Sequence, residues 1–165
     1  MPFLIMTNKL EQEAKTIGRK KTIKATAVVV AILLLILMFQ ETRGDFANGI
    51  LFYIQAITNI HSVAILAILF SLTYLFGGKA GKGIILNNKN FIVISLTYSV
   101  LIYAFIYIYM AIVGITNSPD WIPNKPLALF KNYLLPLAQT SAKAIIPILA
   151  AWLWATYRMR FNHKQ

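Results

Sequence analysis

At 165 residues, with 58% hydrophobic and only 13% charged side chains, the chain lies outside the range of soluble domains, which sit near about 45–50% apolar and about 25% charged. The lack of cysteine excludes disulfides, iron–sulfur clusters and thiolate zinc sites. Sixteen Lys and Arg against five Asp and Glu give a net charge of +11, and the apolar residues fall in four long blocks. That pattern predicts an all-α polytopic membrane protein with four transmembrane helices.

Residues 1–23 read as a basic tail, in which Leu10–Lys24 could form a short helix on lipid headgroups with a thin apolar face. The first block covers about 24–40 and includes VVVAILLLILMF. It is slightly short for a core needing roughly 20 residues, so flanking residues must help. The segment after Phe39 has no small-x-small cleavage pattern, which favours a retained anchor over a cleaved signal. The second block, about 48–76, is long enough to tilt or to begin as an interfacial turn. Between it and the third, the run Gly77-Gly-Lys-Ala-Gly-Lys-Gly83 has the wrong spacing for a phosphate-binding loop and reads as a flexible, positively charged connector. The third block covers about 90–115. The fourth, about 134–157, contains Pro136 and Pro147, each of which removes a backbone donor and predicts a kink. Residues 158–165 form a second basic tail.

Twelve of the sixteen basic residues lie in the two tails, at Lys24 where the first block begins, and in the loop between the second and third blocks. Retention of such segments on the cytoplasmic side places both termini there, in a multi-pass protein of a bacterial inner or plasma membrane. Membrane lipids are the expected partners. With four spans beside the charges and no aromatic-basic recognition module, nucleic acid is not.

All five carboxylates lie outside the blocks, which argues against proton- or cation-coupled transport and against intramembrane aspartyl or zinc proteases. His61 is the single histidine within a block, too few for a bis-His haem, and reads as a packing or hydrogen-bonding group. No metal or cofactor is expected. Polar residues instead recur at helical spacing: Gln55, Asn59 and Ser62 with Thr58 beside them, then Ser95, Ser99, Tyr103 and Tyr107, then Gln139 and Lys143 with Thr140 and Ser141. Gln55 to Ser62, Tyr103, Tyr107 and Lys143 all fall roughly 10–20 Å from the outer face at 1.5 Å per residue. With Gln139, they are therefore the candidate lining of an outward polar cavity. Lys143 has no intramembrane carboxylate to pair with. It either faces an anionic or carbonyl group of a lipid or small ligand, or snorkels and bonds its neighbours as packing glue. Ala138/Ala142 and Ala151/Ala155, each pair four apart, suit close approach by a neighbouring span or a second protomer.

The run LFYIQAITNIHSVAILAIL resembles the second span of the androgen-induced-protein-like integral membrane family and its six-span bacterial relatives, where an F/Y-x-x-T-x-x-S-N pattern recurs. Tyr103, Tyr107 and Gly114 are similar to that family's third span. Asn132 to Pro136, or Lys143 to Pro147 with Trp154, is similar to its His-x-x-x-Pro and Trp pattern. The resemblance covers the first four spans. In the family's eukaryotic members it implies lipid-ester hydrolysis by a Thr and a His, yet with Asn59 as the motif's Asn, Gln55 stands at the Thr position and Asn132 or Lys143 at the His position. Gln is no nucleophile and Asn no general base. Thr58 or Ser62 with Lys143 as base would be the substitute dyad. The leading expectation is a non-catalytic accessory or lipid- or small-ligand-binding membrane protein; the alternatives are a lipid-active hydrolase with a non-standard site and an oligomeric small-molecule transporter or channel subunit.

Overall fold

A computed structural model describes residues 2–42, 48, 50–51, 54–55, 58–117 and 126–161, which form helices and short connections and no strand. Helix α1 (Pro2–Thr42) is unbroken over 41 residues, about 60 Å at 1.5 Å per residue. Residues 2–23 are thus the first half of a helix that continues through the apolar run 24–40. The reason is a stripe of small residues, Ala14, Gly18, Thr22 and Ala25, which share one face and are buried.

Helix α2 (Ile60–Leu86) receives that stripe. It is α-helical to Gly81 and widens into a π-helical turn over Lys82–Leu86. The second apolar block therefore begins later and ends later than expected. Its start is fixed by Asn59, whose extended backbone (ψ 119°) breaks the helix and whose side-chain oxygen accepts the His61 and Ser62 amides. Its continuation past Phe76 overturns the flexible connector: Gly77, Gly78 and Gly81 are buried helical positions. A Cβ on Gly18 would lie 2.8 Å from both the Cα and the amide nitrogen of Gly81, and would meet the Gly77 carbonyl more closely still. Glycine is needed here because two backbones touch, the spacing Gly77/Gly81 supplying the slot.

The order of these contacts, Ala14 and Gly18 with Gly81, Gly18 with Gly77 and Thr22 with Thr73, makes α1 and α2 antiparallel. Thr22 Oγ1 donates to the Thr73 carbonyl at 3.4 Å as well as to its own helix. Arg19 lies across Gly78, and its guanidinium stacks 4.4 Å from the Tyr74 ring centroid. Below this, the Glu11 carboxylate takes ion pairs from Lys15 at 2.7 Å and Lys82 at 2.8 Å. Hydrogen bonds from Lys15 and then Lys82 hold its pKa at about 2, well under the usual 4.5.

A turn through Asn87–Asn90, with Asn88 in the left-handed region (φ 48°), leads to α3 (Phe91–Asn117). Asn90 caps α3 by accepting the Ile92 amide at 2.9 Å. Helix α4 (Pro126–Phe161) is irregular. It passes through a π-helical turn at Phe130–Leu134, α-helix at Leu135–Ser141, a 3₁₀ turn at Ala142–Ala144 and α-helix from Ile145. The two changes of pitch precede Pro136 and Pro147, where the missing amides force the hydrogen-bond ladder to shift register.

Helices α2, α3 and α4 are long and apolar enough to cross a membrane. Their outward surface is aliphatic, with Val63, Leu75, Val93, Val100, Ile112 and Ile146 all exposed, as a lipid solvent requires. Packing is graded along the bundle. Trp152, Ile102, Met159, Thr22, Thr73, Thr156, Ser95 and Ser99 are its largest fully buried side chains. Buried residues of α2 begin only at Leu69 and those of α4 only at Ala151. The helices are therefore tight at the end that carries Lys21, Lys79 and Arg158, and looser at the other.

Candidate functional site

The three polar stripes do not converge on one cavity. Gln55 and Thr58 lie before the break at Asn59, are exposed, and the Thr58 hydroxyl bonds the Ile54 carbonyl at 2.8 Å. Asn59 is used as the cap of α2, which puts Ser62 in the first turn of that helix instead of well inside it. Nearby, His61 Nδ1 meets the Tyr109 hydroxyl at 3.2 Å, tying α2 to α3. Among the described residues no group of three His, Asp or Glu side chains could hold a metal ion.

The stripe on α3 faces α4. Ser95 Oγ and Thr156 Oγ1 are 2.6 Å apart in the buried end. Tyr103 bonds Ser141 Oγ at 2.8 Å and the Ala138 carbonyl at 3.3 Å, and the Tyr107 hydroxyl donates to the Leu134 carbonyl at 2.8 Å. These tyrosines satisfy carbonyls in the irregular part of α4, where the ladder is disturbed. They stitch two helices together. Gln139 is exposed beside them, and the side chain of Thr140 lies outside the described residues. Ala151 and Ala155 are buried within the bundle, whereas Ala142 is exposed and Ala138 partly so.

Of the eight candidate site residues, Lys143 lines a cavity between the helices. Its volume is about 480 Å³, within the roughly 300–1,000 Å³ of small-molecule sites. The walls come from all four helices: Val29, Val30, Leu33 and Ile36 of α1, Ile65 and Leu69 of α2, Ile106 of α3, and Ala144, Pro147, Ile148 and Ala151 of α4. It exists because the bundle loosens above Leu69 and Ala151 and because Pro147 leaves no side chain long enough to fill the gap. Along α1 the lining runs from Thr26 to Ile36, about 15 Å at 1.5 Å per residue. Lys21 meets Arg158, so α1 and α4 are antiparallel and Lys143 stands toward the Ile36 end.

Two polar groups mark this aliphatic cavity. Lys143, in the 3₁₀ turn, has no hydrogen bond or ion pair among the described residues. Thr26 is 4% exposed, lies at the opposite end of the lining, and its hydroxyl is buried without a partner. An unpaired buried hydroxyl costs about 1–3 kcal/mol unless something meets it. Thr26 has its own signal in the sequence, Thr22 and Thr26 standing four residues apart at the entry to an apolar run, and it is absent from the polar stripes. Chemically, the site can hold a narrow apolar body with an anionic or carbonyl group at the ammonium. No known protein family, curated protein or solved structure matches the chain.

Proposed function

We propose that the chain is a non-catalytic integral membrane protein that takes a single-chain amphiphile, a lipid or small ligand, into the cavity between its helices. The observation that carries this reading is Lys143, an exposed residue with no hydrogen bond or ion pair among the described residues, on the lining of a cavity whose other residues are apolar except Thr26. An ammonium at membrane depth costs about 2.5–3.5 kcal/mol on insertion scales, and an anionic ligand group offsets that cost. The apolar run of α1 is the fourth crossing, since it packs antiparallel to α2 over the same height, and both termini lie on the cytoplasmic side with the basic end of the bundle.

The test is equilibrium binding of a long-chain fatty acid and of the corresponding alcohol to the detergent-solubilised protein. Wild type should prefer the acid, and Lys143→Met should lose about 10- to 100-fold for the acid while holding the alcohol unchanged, the scale of one charge-assisted hydrogen bond. Equal binding of the acid by Lys143→Met would refute the reading. The absence of native cysteine makes the topology directly testable: single cysteines at positions 9 and 131 should label from opposite faces with a membrane-impermeant maleimide.

A further inference from the structure

A second feature lies at the other end of the α1/α4 seam, on its outer side. Lys21, Lys24 and Ala25 from α1 and Trp154, Ala155 and Arg158 from α4 surround a notch of about 30 Å³. That is the space of about one water molecule, or one oxyanion oxygen. Positions 21, 24, 25 and 28 share a helix face, and the two alanines, each 3% exposed or less, let the helices close to form the floor.

Three basic residues line it and no acidic one does. Lys21 Nζ donates to the Arg158 carbonyl at 2.8 Å, which fixes it against the last turn of α4, where carbonyls lack helical partners. The Arg158 guanidinium sits 5.9 Å from the Trp154 ring centroid. Burial, and then the neighbouring Arg158 charge, push the Lys21 pKa below its usual value. The ion pairs among the described residues are both made by Glu11, to Lys15 and Lys82, and neither reaches this notch.

We infer that the notch binds the phosphate of an anionic phospholipid, with one phosphate oxygen between Lys21, Lys24 and Arg158. Charge complementarity identifies the anion, and the surroundings identify it as a lipid. Trp154 is 41% exposed, as an interfacial indole should be, and the α1 face continues above Lys24 as exposed Val28, Ile32 and Leu35, along which an acyl chain can lie. A free phosphate would have no use for that strip. This site is separate from the Lys143 cavity and does not depend on it.

Native mass spectrometry of the full chain, after exchange into vesicles of phosphatidylcholine with or without phosphatidylglycerol, provides the test. Wild type should retain phosphatidylglycerol in preference to phosphatidylcholine. A charge near an anionic membrane surface is worth about fivefold, so Lys24→Gln, an exposed position that leaves packing intact, should weaken retention by about that factor. The triple variant Lys21→Gln/Lys24→Gln/Arg158→Gln should weaken it on the order of a hundredfold. The variant Lys9→Gln/Lys20→Gln/Lys89→Gln, which removes as many charges elsewhere, should retain the lipid. Equal losses in the two triple variants, or no loss in Lys24→Gln, would overturn the site. Displacement of the lipid by inorganic phosphate at matched ionic strength would overturn its assignment to a lipid.

Discussion

Gly18→Ala isolates what the α1/α2 seam requires. Alanine favours a helix over glycine by about 1 kcal/mol, so on propensity alone the change should stabilise α1. Against this, the new Cβ would sit 2.8 Å from two backbone atoms of Gly81 and closer still to the Gly77 carbonyl. Ordinary carbon contacts lie near about 3.5–4.0 Å, so the helices must part by roughly 1 Å. Backbone atoms cannot rotate away, which puts the overpacking cost at the upper end of about 1–3 kcal/mol. Parting also stretches the Thr22 to Thr73 bond, already 3.4 Å, beyond hydrogen-bonding range. The net expectation is a loss of about 2 kcal/mol, roughly 30-fold in the folded-to-unfolded ratio. Reversible unfolding in mixed micelles with increasing dodecyl sulfate, followed by circular dichroism, measures it. Gly83→Ala is the internal contrast. Its Cβ would meet only the Ile94 Cδ1 at 3.1 Å and the Lys89 side chain at 3.6 Å, both able to yield, and stability should change by less than about 0.5 kcal/mol. Equal unfolding midpoints for wild type and Gly18→Ala would show that the seam is not a backbone contact.

A double-mutant cycle on Ser95→Ala and Thr156→Ala should return a coupling near 0.6 kcal/mol, and not above about 1.7, the range for hydrogen bonds between membrane helices. Trp152→Ala removes a fully buried aromatic that packs 5.4 Å from Tyr98 and should cost about 3–5 kcal/mol in the same micelle titration. Glu11 has a folded pKa of about 2 against 4.5, so its contribution to stability is fully present above about pH 4.5 and is lost as pH falls toward 2. Glu11→Gln should therefore flatten the unfolding midpoint across that window and leave its pH dependence above it unchanged.

The helical class and the presence of long apolar spans were legible because apolar block length is a direct consequence of bilayer thickness. The stripe Ser95, Ser99, Tyr103, Tyr107 was legible too, since 3.6-residue periodicity puts those positions on one face. Its destination was not: whether a tyrosine lines a cavity or bonds a neighbouring backbone depends on where α4 departs from α-helical pitch. Gly77 to Gly83 misled because glycine and lysine together suit a loop in water, whereas Gly77 and Gly81 at four-residue spacing suit a helix contact in lipid. The partner that decides between the two, Gly18, is about sixty residues away in the chain. At Asn59 one side chain ended the face that Gln55 and Ser62 would have shared. Lys143 stood out by subtraction of charges, but Thr26 became visible only once four helices surrounded it.

The grading of packing along the bundle has a dynamic consequence. Local opening is easiest where few apolar contacts hold the backbone, so amide hydrogens should exchange as a gradient along the axis and not element by element. Amides beside Thr73, Ser95, Trp152 and Thr156 open only when the whole fold does. Those of α4 from the π turn at Phe130–Leu134 to Ile148 exchange by partial unfastening of that end. One helix thus spans both regimes, slow at its C-terminal turns and fast around its prolines, and the cavity wall it supplies belongs to the fast part.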